Sequence, residues 1–435
     1  MQSDLEGRDG RIALCSRRSR RAQKSEPGSR SKAGADSPQH GCTAFAAARR
    51  APCRAQAYDA AVRARPARLE RLPDQYFTAL LTRVAAARAT AGAPLLDLGR
   101  GNPEVGPPAH VVERLAEAAR DPGAHGYAPF RGLSRLREAI AARYASEYGV
   151  ELDPESEVAV VPGTKTAIVE LCLALAERGS TVVLPDPGYP DYPSGVAMAA
   201  AGQAALPLEG GRPVWDQAPR DDVAALYLNY PSNPCAVCAP HGVFADTVAY
   251  AHETGAAIVH DFAYGDLVFD GRPRESFLAT PGAKEVGVEM FSLSKTYGMA
   301  GWRLGFVVGN AEIVARMDLL SDHGRAGIFA ALQEAAIAAL TGPQDSVEAR
   351  RARYEARRDR VLESLPLRAV SEGTFYVWLE LPDGLAVERL LNEARVALAP
   401  GEGFGSRGAG YARLSLAVED NTLDEGLERL AVALT

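Results

Sequence analysis

Short, nearly continuous apolar segments alternate with helical stretches from about Asp97 onward, and this alternation constrains the fold most strongly. The apolar segments cover residues 158–161, 181–184, 225–229, 256–261, 289–292 and 306–308. Strands that are apolar on both faces are typical of a parallel sheet covered by helices on each side. We therefore predict an α/β fold: a large three-layer domain at 99–341 with a mostly parallel sheet.

Two of the intervening stretches show clear helical patterns. Residues 164–178 place Ile168, Leu171 and Leu175 on one face, and Gly179 follows as a predicted C-terminal glycine. Residues 134–148 form a second predicted helix, which ends before Gly149.

The pattern changes after Gly342. A long charged helix is predicted at 347–363, strand-like segments at 375–381 and 411–417, and a helix at the C-terminus. These elements indicate a smaller α+β domain at 342–435. The segment 67–98 is predicted to be an N-terminal arm whose amphipathic part completes that smaller domain.

The first 66 residues differ in charge from the rest of the chain. They contain 14 Lys+Arg and 6 Asp+Glu, whereas residues 67–435 contain 34 and 49. Their apolar residues follow neither helical nor strand spacing, so we predict a disordered basic extension. It is either non-functional upstream sequence, a targeting peptide or a nucleic-acid-binding tail; acidic residues at Asp4, Glu6 and Asp9 argue against a transit peptide.

The composition excludes several other classes. The net charge of −7 argues against nucleic acid as a partner, and no apolar run is long enough for a membrane span. Six cysteines in 435 residues are too few for a disulfide framework, which indicates a reducing cytoplasm. Cys235 and Cys238 lack a second cysteine pair, so we expect reduced thiols and no metal site.

The strongest chemical signal is Lys295, which lies just beyond the predicted strand 289–292. Burial makes an amine easier to deprotonate, and an uncharged amine is suited to forming a Schiff base. Ser292 and Arg303 are residue types that can hold a phosphate close to it. The alternative is a lysine that merely caps the end of a strand.

Polar groups also follow the other predicted strands. Residues 161–165 (Val-Pro-Gly-Thr-Lys) form a strand–glycine–helix junction whose free N–H groups can bind an anion. Later strands are followed by an aromatic ring, an amide and a carboxylate, at Tyr189, Asn233 and Asp261. Ligands of open α/β sheets bind at the carboxyl ends of the strands, so these groups are expected to form one site.

Together these motifs resemble the class I/II aminotransferases, which are pyridoxal 5′-phosphate (PLP) enzymes of fold type I. The resemblance covers residues 67–435. It implies that Lys295 forms the Schiff base, that Asp261 pairs with the pyridine nitrogen and that Tyr264 assists catalysis. The implied cofactor-binding residues are Gly163, Thr164, Lys165, Tyr189, Asn233, Asp261, Tyr264, Ser292, Lys295, Arg303 and Tyr127.

The resemblance also implies substrates and an assembly. Gly101, Asn233 and Arg413 match positions that bind the substrate, with Arg413 on the α-carboxylate. Tyr127 matches a tyrosine that reaches the neighbouring subunit's phosphate, so a homodimer with shared active sites is expected. The implied reaction moves an amino group between an L-amino acid and a 2-oxo acid.

Three positions affect how far the resemblance reaches. Cys235-Ala236 stands where relatives generally have Thr-Gly. Gly298 stands where close relatives often have Asn. Arg100 precedes Gly101. It either recognises an acidic or polar substrate tail or is an exposed loop residue.

Similar motifs occur in a subgroup with methionine-salvage, alanine and diaminopimelate-type transaminases. The alternatives are a PLP-dependent lyase or decarboxylase on the same fold, or a transcription regulator. The regulator would need a folded DNA-binding module in residues 1–66, which lack helical periodicity.

Overall fold

An eight-stranded sheet forms the centre of the computed structural model, which describes residues 66–434. The extension predicted for 1–66 therefore lies, apart from Pro66, outside the described residues. No helix between residues 66 and 434 is both long enough and apolar enough to cross a membrane.

The strands of the described chain are named in sequence order. They are β1 (Leu96–Asp97), β2 (Val158–Val161), β3 (Thr181–Asp186), β4 (Gly202–Glu209), β5 (Arg212–Pro213), β6 (Val223–Asn229), β7 (Ala257–Asp261), β8 (Gly287–Ser292), β9 (Gly305–Gly309), β10 (Ala369–Val370), β11 (Tyr376–Glu380), β12 (Val396–Ala397), β13 (Ala399–Pro400) and β14 (Tyr411–Ser415).

The helices are named in the same way. They are α1 (Ala67–Glu70), α2 (Tyr76–Ala89), α3 (Ala109–Ala118), α4 (Ser134–Tyr148), α5 (Thr164–Leu175), α6 (Tyr192–Ala199), α7 (Val243–Thr254), α8 (Ala283–Val286), α9 (Leu293–Thr296), α10 (Ala311–Leu320), α11 (Ala330–Thr341), α12 (Asp345–Ser364), α13 (Val387–Arg389) and α14 (Asp420–Leu434).

The central sheet has the order β2-β9-β8-β7-β6-β3-β4-β5. The pairs from β8 through β7, β6 and β3 to β4 are parallel, whereas β9 is antiparallel to both of its neighbours and β5 is antiparallel to β4. Strands β2, β7 and β8 are buried along their whole length or nearly so. The mostly parallel, covered sheet confirms the predicted α/β fold class.

A second sheet follows in the C-terminal part, with the antiparallel order β10-β11-β14-β13. Strand β1 pairs in parallel with β12. The predicted arm therefore contacts the C-terminal elements through β1, while Leu80, Val84 and Ala87 of α2 pack into the core that also contains residues of the central sheet. The boundaries of the two domains stay a prediction.

The two predicted helix ends had different outcomes. Helix α4 spans the predicted residues, and Gly149 caps it in the left-handed conformation with φ 66°. The prediction for Gly179 was wrong, because α5 ends at Leu175 and its cap Ala176 is extended. Gly179, with φ 101°, belongs to a tight turn closed by Ser180 N donating to Glu177 O at 3.1 Å.

Candidate active site

A cavity of about 390 Å³ opens where the central strands end. Asn229, Asp261 and Ser292 are the last residues of β6, β7 and β8, and each of them lines it. Most of the predicted site residues line this one cavity: Gly101, Thr164, Lys165, Tyr189, Asn233, Asp261, Tyr264, Ser292, Lys295 and Arg303.

Lys295 lies on α9, the single helical turn that follows β8. Ser292 begins this turn, and its hydroxyl accepts a hydrogen bond from Ser294 N at 3.2 Å. Burial lowers the pKa of the Lys295 amine to about 8, and the positive charges of Arg413 and Arg303 act in the same direction. Asp261 opposes them, and with this pKa about a tenth of the amine is uncharged at pH 7.

Asp261 ends β7 with its carboxylate almost fully buried. Tyr192 donates a hydrogen bond to its Oδ2 at 2.9 Å, and Ala263 N donates to its Oδ1 at 3.2 Å. Burial raises the pKa of the carboxyl above its usual value, although these two hydrogen bonds and nearby Lys295 oppose the change. A cationic ligand group facing Asp261 would compensate for the buried charge.

The amide of Asn233 is fixed by its own loop. Asn233 N donates to Asn229 Oδ1 at 2.7 Å, and Asn229 Nδ2 donates to the carbonyl oxygen of Asp261 at 2.8 Å. These two bonds connect the ends of β6 and β7. Tyr264 lies beyond β7, and its hydroxyl donates to Tyr376 Oη at 3.4 Å.

The junction between β2 and α5 packs against the guanidinium of Arg303. Gly163 is the N-cap residue of α5 and has φ 84°. It has no side chain to accept from the first N–H groups of the helix, so these groups keep their donor capacity. A Cβ atom on Gly163 would lie 2.3 Å from Arg303 Nη2. Arg303 itself is exposed and donates to Ala300 O at 3.0 Å. The start of a helix and a guanidinium are both groups that can bind an anion, and here they lie side by side.

Arg413 is a completely buried cation on β14. Its Nη1 donates to Asn233 Oδ1 at 2.6 Å, its Nη2 donates to Gly99 O at 3.2 Å, and its Nε has no hydrogen-bond partner. The guanidinium lies 3.9 Å from the centre of the Tyr376 ring. Among the described residues no carboxylate pairs with it, so it retains capacity for an anion.

Two further predicted residues have specific partners. Lys165 Nζ forms an ion pair with Asp191 Oδ2 at 2.8 Å, and its side chain is half exposed. Asp191 also accepts a hydrogen bond from Gln75, which caps α2. Tyr189 packs edge-on against Tyr192 with ring centres 5.5 Å apart.

Three predicted residues do not line the cavity. Gly163 and Arg413 are connected to it through Arg303 and Asn233, as described above. Tyr127 is different, because it is 94% exposed on this chain and has no place in the cavity. Its predicted role in a neighbouring subunit's site stays a prediction.

Sequence reasoning missed several lining residues. Asn229, the last residue of β6, lines the cavity and could have been found as a polar group at a strand end. Tyr192 does not line the cavity but donates to Asp261, and it follows β3 closely in the sequence. Tyr376 gave no such signal because it lies inside an apolar strand. The apolar wall, formed by Phe77, Leu80, Leu81 and Val84 of α2, reads in the sequence as an ordinary helix face.

The unusual positions have structural consequences. Ala236 adopts φ 56°, a conformation that favours glycine, and it is completely buried. Gly298 has φ 69°, and a Cβ there would lie 2.3 Å from Val105 O, so this backbone has no room for a side chain. Cys235 and Cys238 are not disulfide-bonded, and burial raises the pKa of each thiol to about 12. Within residues 66–434 no group of His, Cys, Asp and Glu side chains could hold a metal ion.

The fold and this site define a member of a known enzyme family. The family described as "Aminotransferase class I and II" matches residues 93–430, and the chain belongs to it. Enzymes of this family depend on PLP. The chain is therefore an aminotransferase, as the motifs predicted.

Individual relatives cover most of the chain. The "L-glutamine--4-(methylsulfanyl)-2-oxobutanoate aminotransferase" of Bacillus subtilis (strain 168) is 43% identical over 378 residues, 83% of this chain and 94% of that protein. The "Glutamate-pyruvate aminotransferase AlaC" of Escherichia coli (strain K12) is 38% identical over 368 residues, 80% of this chain and 89% of its own. Substrate-bound BacF of Bacillus subtilis has a similar structure, with a TM-score of 0.80 at 38% identity, covering 85% of this chain and 98% of BacF.

Proposed function

We propose that this aminotransferase uses PLP and Lys295 to exchange an amino group between an L-amino acid and a 2-oxo acid. One observation carries the proposal: an amine with a pKa of about 8 and a buried carboxylate, Asp261, line the same cavity. A buried lysine beside an acidic group that needs a cation fits a cofactor with an aldehyde and a basic ring nitrogen.

The residues of the cavity fit PLP group by group. The phosphate would be held by the uncapped start of α5 at Thr164, by the hydroxyl of Ser292 and by the guanidinium of Arg303, which packs against Gly163. Asp261 would pair with the ring nitrogen. Tyr189 would stack on the ring, with Asn233 and Tyr264 on its 3′-oxygen. Lys165 is a weaker candidate for the phosphate because Asp191 already binds its amine.

When bound, PLP supplies an electron sink for the negative charge that the departing α-proton leaves on the substrate's Cα. Asp261 stabilises the positive charge on the ring nitrogen that this role requires. Lys295 Nζ is partly uncharged at neutral pH, so it can accept the α-proton and return it elsewhere on the substrate–cofactor skeleton as general base and acid.

Arg413 would orient the substrate by binding its α-carboxylate. Its buried Nε lacks a partner, and its Nη1 is already aligned by Asn233. A guanidinium that binds a carboxylate in two places fixes which bond at Cα faces Lys295. Gly101 lets the Tyr376 hydroxyl pack against its backbone, because a Cβ there would lie 1.8 Å from that oxygen.

The proposed enzyme is a homodimer that completes its sites with Tyr127. Tyr127, Phe130 and Phe329 are all exposed on this chain, and we call these three residues the Tyr127 patch. Exposed aromatic residues are enriched at protein interfaces. A cytoplasmic setting is supported by the free thiols of Cys172, Cys235 and Cys238.

The apolar wall formed by α2 favours 2-oxo acids with uncharged side chains. Leu80 and Val84 are buried and Leu81 is half exposed, and all three line the cavity. The acceptor named for the Bacillus relative, 4-(methylsulfanyl)-2-oxobutanoate, is of this kind. We propose an acceptor of the same class for this chain.

An amino-donor by 2-oxo-acid screen on PLP-loaded protein tests the proposed function. We expect stoichiometric amino transfer to 4-(methylsulfanyl)-2-oxobutanoate, with Lys295→Ala inactive. Release of ammonia or carbon dioxide without transfer would instead identify a lyase or a decarboxylase.

A further inference from the structure

Arg100 is a charged residue of the cavity that the proposed chemistry does not use. It is exposed, and it lines both the active-site cavity and a neighbouring open cavity that shares Leu81, Val84, Asp97 and Asn102 with it. Arg100 therefore lies at the mouth, where the reacting centre opens to solvent.

The loop that carries Arg100 is fixed at both of its neighbouring residues. Gly99 N donates to Asp97 Oδ1 at 3.1 Å, and Gly99 O accepts from Arg413 Nη2 at 3.2 Å. Gly101 lies against Tyr376. The backbone of Arg100 is thus placed one residue from the proposed α-carboxylate site, while its side chain is left to reach outward.

The guanidinium of Arg100 has no hydrogen bond or ion pair with any residue in the described range 66–434. The apolar side chains of α2 that line the same cavity offer no acceptor, and Asp97, which also lines it, accepts from Gly99 N. A guanidinium prefers a carboxylate or carbonyl oxygen as its partner, and a substrate side chain that passes the apolar wall can supply one.

We propose that Arg100 determines donor specificity by binding the oxygen at the end of the donor's side chain, either a carboxylate or an amide. This inference rests on the proposed function, because it places the α-carboxylate at Arg413 and the side chain along α2. The apolar wall contacts the methylene groups of such a donor. The side chain of an apolar substrate contacts this wall and makes no bond to Arg100. One cavity then accepts two kinds of side chain: Arg100 contributes only to the polar kind.

Single-substrate kinetics on the PLP-loaded enzyme test the proposal, with L-glutamate, L-glutamine and L-norleucine as donors. We expect Arg100→Met to lower kcat/KM for glutamate, glutamine or both by about tenfold, and to change that for norleucine less than threefold. Retained norleucine turnover shows that the variant is folded. A loss confined to glutamate identifies the carboxylate as the bound group, and a loss confined to glutamine identifies the amide.

Arg88→Met is the matched control, because Arg88 is also exposed and lines the neighbouring cavity but not the active-site cavity. It removes the same charge nearby and should leave all three donors unchanged. Equal losses for all donors with Arg100→Met, no loss at all, or the same pattern with Arg88→Met would overturn the proposal. So would a wild-type enzyme that uses norleucine but neither polar donor. If the wild-type enzyme converts none of the donors, the proposed function itself fails.

Discussion

Arg413 shows at the scale of one residue how a functional group can be recognised from its surroundings. A buried charge is costly unless it is paired, and Arg413 has only an amide oxygen, a backbone carbonyl and aromatic rings around it. Other buried guanidinium groups are compensated more fully: Arg143 pairs with Asp266 at 2.7 Å, and all three nitrogens of Arg395 donate to backbone carbonyls.

This contrast gives a prediction for Arg413→Met. We expect kcat/KM for every amino acid to fall by about a hundredfold or more, because the α-carboxylate loses its charged partner. The unfolding free energy of the apo-protein should change by no more than about 1 kcal/mol, because an unpaired buried charge is removed at similar volume. Steady-state kinetics and urea unfolding measure the two quantities; a large loss of apo-stability would contradict the account.

Lys295 leads to a pH-dependent prediction. The folded pKa of about 8 lies below the usual 10.5, so the unfolded chain binds more protons between these pH values. The contribution of Lys295 to stability therefore rises as the pH increases from about 8 towards 10.5.

We accordingly expect Lys295→Met to abolish transamination while raising the unfolding free energy of the apo-protein by about 2 kcal/mol at pH 7. The advantage over wild type should shrink above pH 8, because the wild-type amine is then uncharged when folded. Urea unfolding at pH 7 and at pH 9.5 measures the difference. An advantage that does not depend on pH would refute the lowered pKa.

Among the elements, the junction between β2 and α5 shows most clearly how backbone geometry would shape the proposed phosphate corner. Gly163 has a left-handed φ, and its missing Cβ makes room for Arg303. Gly149 at the end of α4 also has a left-handed φ, but nothing lies within 4 Å of the position of its Cβ. A side chain at Gly149 would therefore meet only the strain of a left-handed φ. A side chain at Gly163 would meet the same strain and would also clash with Arg303.

We predict that Gly163→Ala weakens PLP binding at least tenfold, because the new methyl group displaces Arg303. Both variants should lower the unfolding free energy by about 1 kcal/mol, because both positions have a left-handed φ. Gly149→Ala should leave the affinity for PLP unchanged. Fluorescence titration of the apo-proteins with PLP compares them directly. Equal affinities for both variants would exclude the proposed phosphate corner.

The sequence was informative about elements whose signals are local. The apolar strands predicted the central sheet, and the polar residues at their ends were expected to meet at one cavity, because parallel strands bring their carboxyl ends to one edge. Gly179 was misjudged because a glycine after a helical pattern can cap the helix or serve a later turn, and only the backbone distinguishes the two. Tyr376 and the α2 wall were missed because their contacts with the cavity depend on long-range packing.

At the scale of the whole molecule, the exposed Tyr127 patch bears on the proposed assembly. Tyr127 is 94% exposed, and Phe329, which is 39% exposed, has its ring centre 5.7 Å from that of His125. If the homodimer forms through this patch, Tyr127 of each chain serves the other chain's site.

Mixed dimers test this arrangement. We expect Lys295→Ala to be inactive and Tyr127→Phe to be impaired about tenfold at limiting PLP, because it removes one hydrogen bond to the phosphate. Co-expressed and purified as hybrids, the two variants should regain activity, since one site per dimer then combines an intact Lys295 with an intact Tyr127. Hybrids no more active than Tyr127→Phe alone would show that Tyr127 does not act across subunits.

The central claim is that this chain exchanges an amino group through Lys295, and a single-turnover reaction tests it most directly. PLP-loaded enzyme is mixed with excess L-glutamate without a 2-oxo acid, and the products are quantified per active site. We expect one equivalent of 2-oxoglutarate with no free ammonia, followed by transfer of the retained amino group to added 4-(methylsulfanyl)-2-oxobutanoate. Continuous release of ammonia or carbon dioxide, or full activity in Lys295→Ala, would contradict it.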